Sequence, residues 1–341
     1  MLKVSYEFTL SLNFNENTKF TRMFKTITFL LALVFLISCG TENKSDIDVS
    51  AIKIDVEVKR FDQEFYTVTP EKLPELKNKY PYLFPAQNHD SIWLNKVQDK
   101  DELELFAETQ KVFSNFDDEK EQLVDLFKHV NYYYPKFKAP KIITILSNVD
   151  YESKVVYADS LLFVSLDVYL GVDSKIYEDF PKYVKQNFTK EHLVVDVAKE
   201  ISKVQVPFST NRSFISRIVQ EGKKLYVLDA YLPKVNDAEK IGYTKEELEW
   251  AIFNEEEVWK FFIQNKYLFS TEQDLSRRFI EQAPFSKFYQ ANDNETPGRI
   301  GVWFGWQIVR AYMKSTETSL QELLNIDNEE VFKKSKYKPS K

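Results

Sequence analysis

An α+β fold, mainly helical with a small N-terminal sheet, is what this chain predicts. Three observations carry that expectation. Runs rich in β-branched and aromatic residues cluster between residues 142 and 166, divided by turn residues. After Gly171, apolar residues recur with helical spacing almost to the end. Only 7 glycines occur in 341 residues, too few for the many tight turns of an all-β fold.

The elements follow in order. Ile52-Lys53-Ile54-Asp55-Val56-Glu57-Val58 alternates apolar and charged residues with period two, which predicts an amphipathic strand. Arg60-Phe61-Asp62 then leads to Phe65. The segment Tyr80-Pro81-Tyr82-Leu83-Phe84-Pro85 cannot stay helical through its prolines. Residues 99–128 carry helical stripes such as Leu103, Phe106 and Ala107, then Leu123, Leu126 and Phe127. A turn at Tyr134-Pro135 follows. Ile142–Leu146 reads as a strand, and 155–158 with 161–166 as a hairpin around Asp159-Ser160. Helices are expected over 190–204, 211–229, 244–265, 271–281, 298–314 and 319–325.

Composition bounds the function. With 43% hydrophobic and 15% aromatic residues the chain can bury a real core. A net charge of −6 gives no reason to expect a nucleic-acid partner. No repeat at solenoid periods is visible.

Cys39 is the sole cysteine. Lys25, the apolar stretch Thr28–Ile37 and then Ser38-Cys39 have the layout of an export signal with a lipid-modified cysteine at the cut. The apolar run is about ten residues, half of what a transmembrane helix needs. Residues 1–38 are therefore expected to form the signal region, with the true start at Met23, and 39–50 a lipidated tether. Residues 51–338 are expected to form a single globular domain. The only cofactor expected is covalent: a diacylglycerol or acyl lipid on Cys39. With its cysteine so used, the mature domain has no disulfide and rests on its core. The expected location is the cell envelope, lipid-anchored and facing the periplasm.

Chemistry-bearing motifs are sparse. There is no Gly-x-Ser-x-Gly, no phosphate-cradling glycine loop and no His-Glu-x-x-His among His89, His129 and His192. His192 and Asp196 lie at i and i+4 on a predicted helix, which puts them on one face. With Glu221 they are weak candidates for a metal site. Leu193 stands where a zinc peptidase would carry its general-base glutamate, and leucine cannot accept a proton. No catalytic residue is assigned. Gly301 and Gly305, four apart, share a helix face and predict close approach of another backbone. Trp303 and Trp306, with Arg299, are candidates to line a groove for a peptide or glycan.

Several segments resemble the gliding motility lipoprotein GldB family of Bacteroidetes. They are Lys59–Asp62, Tyr80–Pro85, Leu166-Asp167-Val168-Tyr169-Leu170-Gly171, Gln220-Glu221-Gly222-Lys223-Lys224-Leu225-Tyr226, Ile241–Thr244, Asn254-Glu255, Ala283–Phe288, and Pro297-Gly298-Arg299 through Tyr312. The likeness runs from about residue 50 to 338. It implies an envelope lipoprotein required for gliding over surfaces. Its partners would be other motility or secretion proteins of the envelope, reached through a membrane anchor. A more distant likeness, to predicted zinc-dependent proteases with a broken motif, implies a zincin-like, degenerate metalloprotease-like scaffold and a pseudo-enzyme. Two readings compete with this one: a metal-dependent hydrolase of peptide or peptidoglycan with non-standard ligands, and a carbohydrate- or peptide-binding lipoprotein.

Overall fold

The computed structural model describes residues 47–340. The signal region, Cys39 and the first residues of the tether lie outside the described residues, so the expectations placed on them are not addressed by the fold.

The chain opens with β1 (Val58–Lys59) and five helices: α1 (Phe61–Tyr66), α2 (Leu73–Lys79), α3 (Asp90–Lys96), α4 (Lys100–Val112) and α5 (Asp117–Tyr133). Then come β2 (Lys141–Ile145), β3 (Val155–Ala158) and β4 (Leu161–Ser165). The sheet order is β1-β2-β4-β3. β1 and β4 both run parallel to β2, and β3 closes the edge antiparallel to β4. The hairpin sits where it was expected, with Ala158 opposite Leu161 and Asp159 in the left-handed conformation that a two-residue turn requires. The strand expected over 52–58 is largely absent. The edge of β2 pairs only with Val58 and Lys59, so the alternating residues before them form no ladder.

The first helices fold over a satellite core of Phe65, Tyr66, Leu73, Leu76, Tyr80 and Phe84. One buried carboxylate pins it to the sheet. Asp62 accepts from the Arg60 guanidinium at 3.0 and 2.8 Å and from Gln110 Nε2 at 2.9 Å, and Thr144 on β2 donates its hydroxyl to it. Arg60 also reaches the Phe113 carbonyl at 2.9 Å. A buried charge is tolerated only when bonded on all sides, as here.

The helical body comprises α6 (Lys182–Lys185), α7 (Lys190–Ser202), α8 (Phe214–Tyr231), α9 (Asp237–Ile241), α10 (Lys245–Phe253), α11 (Glu255–Gln264), α12 (Asp274–Phe279), α13 (Ile300–Ser315), α14 (Leu320–Asn325) and α15 (Asn328–Ser335). The helix expected over 244–265 is two helices. Asn254 bonds back to the Trp250 carbonyl through both its backbone N–H and its side-chain amide, which ends the first and starts the second.

The main core is centred on α8 and α13, with α15 packed on both. Their crossing is so close that a Cβ on Gly222 would stand 2.1 Å from the Gly305 carbonyl oxygen. The glycine spacing on α13 therefore does mark close helix packing. Among the described residues, no helix is long and apolar enough to cross a membrane. The architecture is α+β and mainly helical, as expected. The zincin-like part of that expectation finds no support; the arrangement of His192, Asp196 and Glu221, described next, shows why.

Candidate functional site

Helix α7 places His192, Asp196 and Lys199 on one face through their i, i+4 and i+7 spacing. His192 is 1% exposed and Asp196 7%. Imidazole Nδ1 lies 3.1 Å from Glu239 Oε2, contributed by α9, and donates to it. Nε2 lies 3.4 Å from Asp196 Oδ1 and 3.2 Å from Lys199 Nζ. A proton on Nε2 is shared with Asp196; without one, Nε2 accepts from Lys199. In either state both ring nitrogens are held by the chain's own charged groups.

Asp196 is the hub. Its Oδ2 is 2.5 Å from Lys154 Nζ, just ahead of β3, and accepts from the Tyr169 hydroxyl at 3.1 Å. Burial by itself would raise its pKa, but His192 and Lys154 beside it hold the carboxyl well below the usual carboxylate range. Glu239 is lowered through its hydrogen bond to His192. Lys199 is pulled down to about 8, first by burial and further by Lys154 and Arg299 nearby. Burial and the Asp196 charge push Tyr169 well above its ordinary value, so it stays a neutral donor.

The depressed Asp196 pKa makes a pH prediction. A carboxyl whose folded pKa lies below its unfolded value of about 4 adds stability that is complete above pH 4 and lost as pH falls below it. Asp196→Asn is therefore expected to lower stability by about 2 kcal/mol at pH 7 and by about 1 kcal/mol at pH 3, because the contribution is lost progressively between pH 4 and the depressed folded value. Urea denaturation of both proteins at the two pH values reads this out. A difference that stays constant with pH would contradict the assignment.

Lys154, His192, Asp196 and Lys199 line a cavity of about 230 Å³, walled also by Gly242, Tyr243, Ala283, Gly298 and Arg299. The far wall is built by loop geometry. Gly242 ends α9 with φ 80, a conformation only glycine adopts freely, and a Cβ there would press to 2.7 Å on the Asn187 amide. Tyr243 donates to the Gly298 carbonyl at 2.7 Å. Arg299 is left-handed, with φ 59, at the mouth of α13, and its Nη1 donates to the Ile241 carbonyl at 3.2 Å. Buried Ser286 fixes this start: its hydroxyl donates to the Pro297 carbonyl at 2.7 Å and accepts from the Ile300 N–H at 3.1 Å.

The structure thus brings together His192, Asp196 and Arg299 from the predicted set. Glu221 is elsewhere, on α8, paired with Lys224 at 2.6 Å. Glu239, the acid that does reach His192, lies against the ring nitrogen opposite Asp196, so the imidazole separates the two carboxylates. Among the described residues, no group of three or more His, Cys, Asp or Glu is placed to hold a metal ion. The tryptophan groove is corrected outright. Trp303 is 4% exposed and Trp306 fully buried, and Trp306 Nε1 donates to Asp229 at 2.9 Å. Both rings are buried in the main core, Trp306 against Asp229 of α8 and Trp303 edge-on to Trp306 with centroids 6.0 Å apart, and apolar area is most stable there.

From residue 42 to 339 the sequence matches the family described as gliding motility protein GldB. The chain belongs to the GldB family. No curated protein and no solved structure gives a significant match. The segments that carry the GldB resemblance now have physical roles. Arg60 and Asp62 form the buried pin. Asp167 accepts the backbone N–H groups of Ser147 and Val149, and so holds a loop whose Asn148 and Val149 are both left-handed. Gly222 is the helix crossing. Gly242, Tyr243, Ala283, Gly298 and Arg299 wall the cavity. Three of the GldB segments, far apart in sequence, therefore meet at one pocket.

Sequence reasoning missed Lys154, Lys199, Glu239 and Tyr169. Lys199 was within reach, since it continues the 192–196 face by i+3. Lys154 and Glu239 were not, because nothing local marks a residue 42 or 47 positions from its partner.

Proposed function

We propose that this GldB-family chain is a lipid-anchored component of the gliding motility apparatus, held in the envelope through Cys39 and facing the periplasm. There it acts without catalysis by holding other motility or secretion proteins. The family match over residues 42–339 supports the motility role. The observation that carries the non-catalytic reading is His192: both ring nitrogens are bonded within the chain, to Glu239 on one side and to Asp196 and Lys199 on the other. A general base needs a free nitrogen within reach of its substrate's proton. His192 serves instead as a cross-brace between α7 and α9.

Two variants test this in cells. Cys39→Ser is expected to move the protein out of the membrane fraction and to abolish spreading on agar. His192→Gln is expected to leave spreading intact, provided the protein accumulates normally. Loss of gliding in His192→Gln at normal protein level would sink the non-catalytic reading. Wild-type gliding in Cys39→Ser would sink the anchor. Crosslinking and pull-down from envelope fractions, comparing the lipidated and Cys39→Ser forms, would then identify the partners.

A further inference from the structure

The cavity beside His192 holds one cation, Arg299, that has no carboxylate partner among the described residues. Lys154, Lys199 and Arg299 all line it. The carboxylates that face it are already engaged. Asp196 is bonded to Lys154, Tyr169 and His192, and its Oδ1 lies 3.8 Å from Lys199 Nζ. Glu247 closes the cap of α10 by accepting from the Thr244 N–H at 2.8 Å, and it accepts from Gln186 Nε2 at 3.2 Å. Glu239, which does not line the cavity, bonds the opposite nitrogen of the imidazole.

Arg299 stands apart in this set. Its one hydrogen bond runs from Nη1 to the Ile241 carbonyl, and among the described residues no carboxylate pairs with it. Its backbone is nevertheless held in a left-handed conformation that is costly for a residue with a side chain. A guanidinium so held presents a planar fork of donors, which suits the two oxygens of a carboxylate. Lys199 shares the cavity, and its ammonium, 3.8 Å from Asp196 and 3.2 Å from His192 Nε2, has a donor left for a second anion. The remaining walls suit a peptide: the amides of Gln186 and Asn187, and the rings of Tyr151, Tyr183 and Phe188.

We propose that this pocket binds the C-terminal carboxylate of a peptide chain, with Arg299 and Lys199 as the carboxylate-binding pair. The proposal goes beyond the motility role and does not depend on it. It rests on a cavity of about 230 Å³ lined by an Arg299 that has no carboxylate partner among the described residues.

The test uses the full chain, purified, with calorimetric titration of three probes: N-acetyl-alanyl-alanine, its C-terminal amide, and inorganic phosphate. Saturable binding of the free acid is expected, with no binding of the amide and weaker binding of phosphate. Arg299→Gln should weaken the acid at least about tenfold, the size of one lost charge-assisted hydrogen bond. Arg299→Lys should recover part of the loss, since it restores the charge but not the fork. Lys199→Gln tests the second partner and stands in should Arg299→Gln fail to fold, as judged by its melting temperature. Equal binding of acid and amide, no binding of the acid, or unchanged affinity in the folded Arg299 and Lys199 variants would overturn the proposal. Phosphate binding more tightly than the acid would overturn the assignment to a carboxylate.

Discussion

Gly305→Ala is expected to destabilise the protein by about 3 kcal/mol or more, at the upper end of overpacking effects. A Cβ on Gly305 would lie 1.7 Å from the Ile218 carbonyl oxygen and 2.4 Å from its carbon. Both are backbone atoms of α8, so no side chain can turn aside to make room. The helices would have to separate, and the apolar faces around the crossing would lose contact along their length. Gly222→Ala should behave alike, because its Cβ would meet the Gly305 carbonyl from the other side. The double variant should cost less than the sum, since one separation of the helices relieves both clashes. Urea denaturation of the three variants measures this. A Gly305→Ala protein within 1 kcal/mol of wild type would mean that the two helices do not cross at these glycines.

Asp229→Ala is expected to cost about 3–5 kcal/mol, the range found when one partner of a buried ion pair is removed. Asp229 sits on α8 and accepts from Arg310 at 2.8 and 2.7 Å, Lys240 at 3.0 Å and the Trp306 indole at 2.9 Å. Arg310 also forks onto Asp237 at 2.6 and 2.8 Å, and lies over the Trp306 ring with its Cζ 3.7 Å from the centroid. Burial would lower the Arg310 pKa, but its bonds to Asp237 and Asp229 raise it above the ordinary value. Burial would likewise raise Asp237, and Arg310 brings it below its ordinary value. Without Asp229, Arg310 retains Asp237, but buried Lys240 keeps no other ion-pair partner among the described residues. A second substitution, Lys240→Met, should therefore recover part of the loss, because it removes the stranded charge. Thermal and urea unfolding of the single and double variants check both statements. A cost under 1 kcal/mol for Asp229→Ala, or no recovery in the double variant, would contradict this account.

Both effects arise on elements that the sequence announces. The apolar stripe of α13, its glycine spacing and the stripe of α8 are periodic features, and periodicity survives folding because burial enforces it. The hairpin around Asp159-Ser160 and the strand before it were legible for the same reason. Elements without a long repeat were not. The short helices Leu73–Lys79, Lys182–Lys185 and Asp237–Ile241 have too few turns to set a period. The expected strand at 52–58 shows the converse case, since its alternation is real but the neighbouring strand edge offers few partners.

The tryptophans mark the limit of reading function from residue type. Trp303 and Trp306 on an amphipathic stretch are equally compatible with a groove and with a core. Only the tertiary packing around α13 makes them core. Arg299 is the opposite case: it was singled out together with those tryptophans, yet it turns away from them into the His192 cavity.

By itself the sequence determined the balance of helix and strand, the close contact at the α13 glycines, the shared face of His192 and Asp196, and the likeness to the GldB family. Each is local or periodic, or rests on long ordered segments. Tertiary structure alone decided that Lys154, Tyr169, Glu239 and Arg299 gather around that face, and that Glu221 and both tryptophans do not. The reason is physical. Such contacts join residues tens to more than a hundred positions apart, and they are set by how whole helices pack rather than by any preference of the residues themselves.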